Sequence, residues 1–454
     1  MMNLKFICDV FAKRNELKQS YSSDRDELLK KQQKDLNTLR EFTYSKSAFY
    51  RTFHRGLFNA PLGELPVMTK KLLMENYNEI VTDPNISKSE IEAFLPGMTA
   101  NDYYRGKYII NTTGGTSGFK GIFVYNLNEW AFVIASYSRA YDLAGIKLGP
   151  FSRQKIAVVS STVSWHQSSR VGQSIKTPFI STLRIDAVEP MAKIVEMLNN
   201  FNPATLVAYS SMAYELAKEQ LSGRLSIHPS KIFCSSEVLS NQFRATIRRA
   251  WGREPFNVYA ATETAGIGSE CNYHQGLHIY EDLVIVESVD ANYQPVPYET
   301  FGEKLLVTVL FSRTIPLIRY ELTDSVMLTD ESCNCGLPFK LIKTVQGREE
   351  DIIAMKGKDG TLIKVHPNVF HAVMKAQVSG AWQIEQHETN GLKIVLQDKL
   401  SREALSDLTT DVKKALKSLG IGEINVDIVC TDALSKTRIG KQKLIQALDN
   451  NIFK

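Results

Sequence analysis

The chain has 454 residues, 43% of them hydrophobic and 23% charged, and a net charge of +5. That composition suits a globular protein with room for two or three domains and excludes a disordered or collagenous chain. No lysine-arginine run interleaved with aromatics points to nucleic acid, and no apolar stretch approaches the ~20 residues of a membrane span, so the small positive charge hints only at anionic ligands.

The opening stretch, MMNLKFICDVFAKR, has a short apolar patch broken by Asp9. It reads as the first turns of an amphipathic helix rather than as a signal peptide. In residues 8–50, Leu28, Leu29, Leu36, Leu39 and Phe42 recur at helical spacing, which predicts one or two helices that clamp the main domain. Next come two short apolar strands, Tyr108 to Ile110 and Ile122 to Tyr125, joined by TTGGTSGFKG at 112–121. Glycines let a turn approach a ligand closely, and successive backbone N–H groups can form a nest for phosphate. Thr112, Thr113, Thr116 and Ser117 add hydroxyls, and Lys120 adds charge. A Walker-type loop is excluded, because Lys120 follows Phe119 and precedes Gly121.

From about residue 60 to 345, strand-like and helix-like segments alternate. The strands are 156–162, 204–211 and 231–237, and the helices are 190–201 and 213–221. The alternation predicts an α/β fold with parallel sheets covered by helices. Ligands in such folds gather beyond the C-terminal ends of strands, where Ser160, Ser161, Ser210, Ser235, Ser236 and Glu237 fall. A boundary is expected at Gly347-Arg348. It separates residues 1–346, with a helical lead-in over 1–60, from a compact α+β unit over 347–454. In that unit we expect a strand at 351–357, a turn at 358–361, a helix at 367–375, strands around 381–397, a helix at 401–419, a strand at 423–429 and a charged tail.

Six cysteines in so long a chain do not form a disulfide framework, and a reducing cytoplasm is the expected setting. Cys8, Cys234 and Cys430 stand alone and read as small buried hydrophobes. Cys271, Cys333 and Cys335 differ. With His274 or His278 they supply the three thiolates and one imidazole of a tetrahedral zinc set. A closed four-ligand site of this kind is structural, and it would pin two excursions of the chain together near the active site.

Further motifs follow the glycine-rich loop in a fixed order. They are Tyr259-Ala260-Ala261-Thr262-Glu263, LIRYELTD at 317–324, GREED at 347–351 and Thr437-Arg438-Ile439-Gly440-Lys441. In this order the segments resemble the signature motifs of the adenylate-forming (ANL) superfamily. The chain is most similar to its phenylacetate-CoA ligase branch, through Glu270-Cys271, Gly276-Leu277-His278, Glu281-Asp282, Arg319-Tyr320 with Asp324, Cys333-Asn334-Cys335-Gly336 and LPVMTKKLLMENY at 65–77. The resemblance runs from about residue 40 to the C-terminus.

The resemblance implies an enzyme that adenylates a carboxylic acid with ATP, releases pyrophosphate, and passes the acyl group to CoA, a carrier-protein thiol or an amine. An aromatic acid is expected from the branch. Thr113, Thr116, Ser117 and Lys120 would hold the β- and γ-phosphates. Thr262 would contact phosphate, and Glu263 would ligate Mg²⁺ through a hard oxygen. Asp324 would accept both ribose hydroxyls, with Arg348 on the same sugar. Ser235, Ser236 and Glu237 correspond to the adenine loop, and Tyr259 would stack on the base. Lys441 would neutralise the α-phosphate, and the C-terminal unit would turn about Glu349, Glu350 and Asp351 between the two steps. Gly276-Leu277-His278 favours His278 over His274 as the zinc ligand. Trp165, His166, Tyr209, Met212 and Tyr214 are candidates for an aromatic acid pocket.

The chain departs from the family pattern at Ala260, at Phe119 and at Glu321-Leu322-Thr323. Two other readings stay open: an adenylyltransferase that leaves AMP on its substrate, and a non-catalytic nucleotide-binding homologue. A homodimer is also left open.

Overall fold

The computed structural model describes residues 4–99, 101–113, 121–147, 154–174, 180–348, 353–365, 369–370, 373–374, 377–378, 381–397, 399–435, 437 and 442–448. Three helices lead: α1 (Leu4–Gln19), α2 (Arg25–Lys46) and α3 (Ala48–Phe53). The lead-in is therefore one helix richer than its periodicity suggests, because Ser47 ends α2 and caps α3 through its side chain. Asp24 starts α2 with a capping box, in which its side chain and that of Glu27 each bond the other's backbone N–H. Short helices α4 (Lys70–Glu75), α5 (Tyr77–Ile80) and α6 (Lys88–Phe94) follow.

Strands β1 (Tyr108–Thr112) and β2 (Ile122–Asn126) form the expected antiparallel pair, with Thr112 opposite Ile122. The long helix α7 (Leu127–Leu143) follows directly; it is not anticipated above, since its apolar residues nearly surround it. Asn126 caps it, paired with Glu129. Glu129 is then buried completely, and its oxygens also accept from Thr314 N at 2.6 Å and Thr314 Oγ1 at 2.6 Å. One capping side chain thus ties α7 to a distant loop.

The alternating region holds β3 (Gln154–Ser160), α8 (Gln167–Ser174), β4 (Ile180–Asp186), α9 (Met191–Phe201), β5 (Thr205–Tyr209), α10 (Ser210–Leu221), β6 (Lys231–Ser235), α11 (Asn241–Trp251) and β7 (Phe256–Ala261). The next strands are β8 (Ala265–Glu270), β9 (Leu277–Ile279), β10 (Val284–Val289), β11 (Lys304–Val309), β12 (Tyr320–Leu322), β13 (Asp324–Thr329) and β14 (Leu341–Arg348). Among the described residues the main sheet has nine strands in the order β13-β14-β9-β8-β7-β6-β5-β3-β4. Strands β4, β3, β5, β6 and β7 are mutually parallel, whereas β7, β8, β9, β14 and β13 are antiparallel. The expected strand-helix alternation through residue 345 therefore stops at residue 261. The chain between β8 and β9 is too short for a crossover helix, which takes a dozen residues or more, so those strands have to run antiparallel.

Beyond residue 352 lie β15 (Ile353–Lys356), β16 (Leu362–Val365), β17 (Trp382–Glu388), β18 (Gly391–Leu396), α12 (Arg402–Ser418), β19 (Asn425–Cys430) and β20 (Ile445–Gln446). The four-stranded sheet β19-β18-β17-β20 and α12 enclose a core of their own, with Ile384, Ile394, Leu408, Val412 and Leu416 at its centre. The expected helix at 367–375 lies partly outside the described residues, as do the hinge residues Glu349, Glu350 and Asp351. Cys234 is buried as expected, but Cys8 and Cys430 are exposed. An amphipathic helix and an edge strand each turn those two outward. No helix among the described residues is long and apolar enough to cross a membrane.

A buried ion pair within the body also anchors the lead-in, through one backbone carbonyl. Arg139 of α7 donates to both oxygens of Asp282 at 2.6 and 2.7 Å and to the carbonyl of Leu17 at 3.2 Å. Both side chains are essentially inaccessible. Burial alone would raise the carboxyl pKa of Asp282, and Arg139 holds it below the ordinary value. Removing one partner strands the other charge, at a cost of about 3–5 kcal/mol. Arg139→Met is therefore expected to lower the denaturant midpoint strongly, and Arg139→Met with Asp282→Leu to recover most of the loss. Equal midpoints for wild type and Arg139→Met would refute this.

Candidate functional site

The parallel strands end on one edge of the sheet, and a cavity of about 920 Å³ opens there. Several of the sequence candidates meet on its wall: Thr113 after β1, Ser235 at the end of β6 and Ser236 after it, Thr262 and Glu263 after β7, and Asp324 at the start of β13. Thr437 of the tail joins them, as do Lys70 and Lys71 at the start of α4.

Each position has a local cause. Thr113 closes the base of the glycine-rich loop: its N–H donates to the Gly121 carbonyl at 3.0 Å and its Oγ1 accepts from Gly121 N at 2.9 Å. Thr116, Ser117 and Lys120 lie outside the described residues. Thr262 and Glu263 occupy the turn where β7 reverses into β8. The Tyr125 hydroxyl, fully buried, donates to the carbonyls of Thr262 at 2.8 Å and Glu263 at 3.1 Å. This clamp aims the turn, and nothing in the sequence motifs singles out Tyr125. Ser236 adopts a left-handed φ of 66°, an uncommon state for a non-glycine residue that clusters at ligand-binding sites.

Two candidates take up other partners. The Tyr259 hydroxyl donates to Asp324 Oδ2 at 2.8 Å, so the phenol orients the carboxylate. Glu237 accepts from Ser211 N at 2.8 Å through one oxygen and from Gln442 N at 2.8 Å through the other. It thereby joins the first turn of α10 to the C-terminal tail. Arg348 is the cross-strand partner of Asp324 at the end of β14, and Lys441 lies outside the described residues.

The proposed acid pocket divides. His166 and Tyr209 line the cavity. His166 Nδ1 lies 3.0 Å from Ser161 Oγ, and Ser161 N donates to the Tyr209 hydroxyl at 2.8 Å. Met212 and Tyr214 belong instead to the core on the far side, where Tyr214 stacks on Phe243 at 4.6 Å. Their helix α10 turns them away from the strand ends. Trp165 is not on the wall: it packs against the main core, and its carbonyl accepts from Thr112 N at 3.0 Å. The remaining walls are largely apolar, with Ile156, Val158, Val207 and Phe233 on the sheet and Tyr137 and Tyr141 on α7. Helix α1, expected only to clamp, roofs part of the cavity with Phe6, Val10 and Phe11.

A second site lies at the other end of β8. The ligand atoms of Cys271, His278, Cys333 and Cys335 all fall within 4.8 Å of one another. Cys271 Sγ is 3.6 Å from Cys333 Sγ, and Cys335 Sγ is 3.4 Å from His278 Nε2. The edge of a tetrahedron with ~2.3 Å metal-sulfur bonds is roughly 3.8 Å, so the set fits zinc. Burial holds the His278 pKa near 4, so its ring is neutral and can ligate. His274 is turned away, with Nδ1 at 3.0 Å from Glu270 Oε2, so His278 is the histidine that joins the three cysteines in this cluster. Gly276, at φ 135°, lets the β8–β9 connection press on β14; a Cβ there would meet the Ile342 carbonyl at 2.9 Å. The cluster is not beside the cavity as expected. Glu263 of the cavity wall shortly precedes β8 and Cys271 follows it, while Asp324 starts β13 and Cys333 lies four residues beyond its end; six residues of strand span about 20 Å.

Two carboxylates, a hydroxyl-lined strand edge and the base of the glycine-rich hairpin thus border one cavity, and known proteins share this fold. No family model matches the chain. It is similar to the phenylacetate-coenzyme A ligase of Thermus thermophilus, with 29% identity over 191 residues, 40% of this chain and 41% of that protein. It is also similar to the protein CapK of Staphylococcus aureus, with 27% identity over 300 residues, 64% of this chain and 62% of CapK. The matched segments thus span between two-fifths and two-thirds of those relatives. Among solved structures, 2-hydroxyisobutyryl-CoA ligase in the postadenylation state with R3-HIB-AMP superposes with a TM-score of 0.70 at 16% identity, covering 92% of this chain and 89% of that one. The same enzyme with 2-HIB-AMP and CoA in the thioesterification state gives 0.57 at 16% identity, covering 95% and 92%. In sequence the chain is thus similar to the phenylacetate-CoA ligase-like branch of the adenylate-forming superfamily, and its fold agrees with that of an acyl-CoA ligase.

The Glu237 bridge yields a direct test. Without its carboxylate the tail loses one of its attachments to the sheet. Glu237→Ala is expected to speed tryptic cleavage at Lys436 to Lys443 several-fold, read by mass spectrometry, while cleavage elsewhere keeps its rate. An unchanged tail would show that the bond holds nothing in place.

Proposed function

We propose that the protein adenylates a carboxylic acid at the expense of ATP and then passes the acyl group to CoA or another thiol or amine. The observation that carries the reading is the meeting of Thr113, Ser235, Thr262, Glu263 and Asp324 on one cavity wall. The relatives' names, phenylacetate-coenzyme A ligase and 2-hydroxyisobutyryl-CoA ligase, support it.

The chemistry needs little covalent work from the protein. The acid must sit in line with the α-phosphate, water must be kept out, and growing negative charge must be met by fixed donors. Asp324, oriented by Tyr259, accepts the ribose hydroxyls. Thr262 and Thr113 offer hydroxyls to phosphate oxygens. Glu263 supplies the hard carboxylate oxygen that Mg²⁺ requires, and bound Mg²⁺ would neutralise charge on the phosphates. The apolar wall from Val158 to Phe233 takes the body of the acid and excludes water, which suits an aromatic or otherwise hydrophobic acid. Lys441 is assigned to the α-phosphate; its neighbours Thr437 at the cavity and Gln442 on Glu237 support this. We place the boundary between a large adenylating domain and a smaller C-terminal one at residues 346–347, in keeping with their separate cores. Cys271, His278, Cys333 and Cys335 would hold a zinc ion in a purely structural role.

Acid-dependent ATP–pyrophosphate exchange across a panel of aryl and alkyl acids tests the reading. Exchange is expected with at least one acid. Lys441→Ala should lower it roughly 100-fold or more, as loss of a charge-stabilising group does, and Tyr125→Phe about tenfold, with its melting point nearly unchanged. Exchange that survives Lys441→Ala unaltered, or that no acid elicits, would sink the proposal. For the metal, elemental analysis of purified protein should find about one zinc per chain. Cys335→Ser should cut that content and lower the melting point; a metal-free wild type with full stability would overturn the assignment.

A further inference from the structure

The cavity contains an arginine that the adenylation chemistry leaves without a task. We propose that Arg184 selects acids carrying a second anionic group, remote from the carboxyl to be activated; this rests on the adenylation reading above. Arg184 lies on β4 and lines the cavity together with Tyr141, Val158, Val207 and Phe233. Its one hydrogen bond among the described residues runs from Nη2 to the Ser168 carbonyl at 3.0 Å. No carboxylate of the described residues forms an ion pair with it. The nearest acid along the same strand face, Asp186, is engaged by the Thr162 hydroxyl and by the N–H groups of Thr162 at 3.3 Å and Val188 at 3.2 Å.

The contrast with other arginines is direct. Arg14, also on the cavity wall, is neutralised by Asp142. Arg139 is matched by Asp282, Arg244 by Glu270 and Arg319 by Glu287. Arg184 faces tyrosine rings and aliphatic chains instead, and desolvation disfavours its charge. A cation held in an apolar chamber gains most from a desolvated anion. Its position is also built. Gly172 of α8 leaves the guanidinium its space, since a Cβ there would lie 1.4 Å from Nη1. Binding of an anion would use the fork of N–H donors that faces the chamber.

The sheet order sets the size of the acid. Strand β4 stands four places from β7, roughly 19 Å at 4.8 Å per strand. The long side chain reaches back part of that way. The two charges of the substrate are therefore separated by on the order of 10–15 Å, with an apolar body between them. A single short-chain acid is too small to use both ends.

Matched acids test this. In pyrophosphate exchange, a long hydrophobic dicarboxylic acid should exceed its monomethyl ester in kcat/KM by roughly 30-fold, as expected for a close charge pair. Arg184→Met, which keeps the stem, should bring that ratio to about one, and Arg184→Lys should restore part of it. A purely structural role would lower both acids equally. An equal or inverted preference in wild type, or an unchanged ratio in Arg184→Met, overturns the inference. If no acid supports exchange, the adenylation reading fails, and Arg184 is judged by thermal shift with the diacid alone. Protection of wild type but not of Arg184→Met then sustains it; protection of both or neither defeats it.

Discussion

The reversal of the chain at Thr262 to Thr264 is the constraint from which the cleft follows. Up to that point every strand of the main sheet runs the same way, so every strand delivers its C-terminal residue to one edge. After it the strands alternate in direction. The turn itself therefore projects at the edge where Ser160, Tyr209 and Ser235 already end their strands. Its backbone carbonyls point away from the sheet, and the Tyr125 hydroxyl from the neighbouring hairpin shares its one proton between two of them. A buried phenol thus couples the glycine-rich hairpin to the turn, so that the two elements assigned to phosphate are positioned by one side chain.

Two distant sites share the same framework. The antiparallel strands that leave the cleft end at the Cys-His cluster. A closed metal site there would leave the cleft's chemistry untouched and hold the strand ends that frame it. The Arg139–Asp282 pair does similar work for the helical lead-in. It explains how α1 comes to roof part of the cavity rather than merely lie against the body.

Much of this was legible beforehand, for identifiable reasons. Parallel strands show as short apolar runs between helices, and β3, β5 and β6 lie where those runs fall. The resemblance motifs named Thr262, Glu263 and Asp324, because chemistry demands those residue types. The metal set was legible from cysteine spacing and the preference for His278 from the resemblance, and the packing of His274 against Glu270 agrees with it. What escaped was three-dimensional. The antiparallel half of the sheet lacks a distinctive period, and α7 is apolar on most of its surface. Met212 and Tyr214 follow a strand end but face inward. Tyr125 and Arg184 carry no local signal at all, since their importance arises from partners about 137 and 16 positions away.

Glu237 adds a dynamic consequence. Its carboxylate is shared between α10 and the tail, so any departure of the tail from the sheet must exchange one protein hydrogen bond for water. Such an exchange, for a bond to a carboxylate, is worth about 2 kcal/mol net, a bias of roughly thirtyfold in population. That is a latch weak enough for thermal motion to open it many times between encounters with substrate, yet sufficient to keep the docked arrangement the resting one.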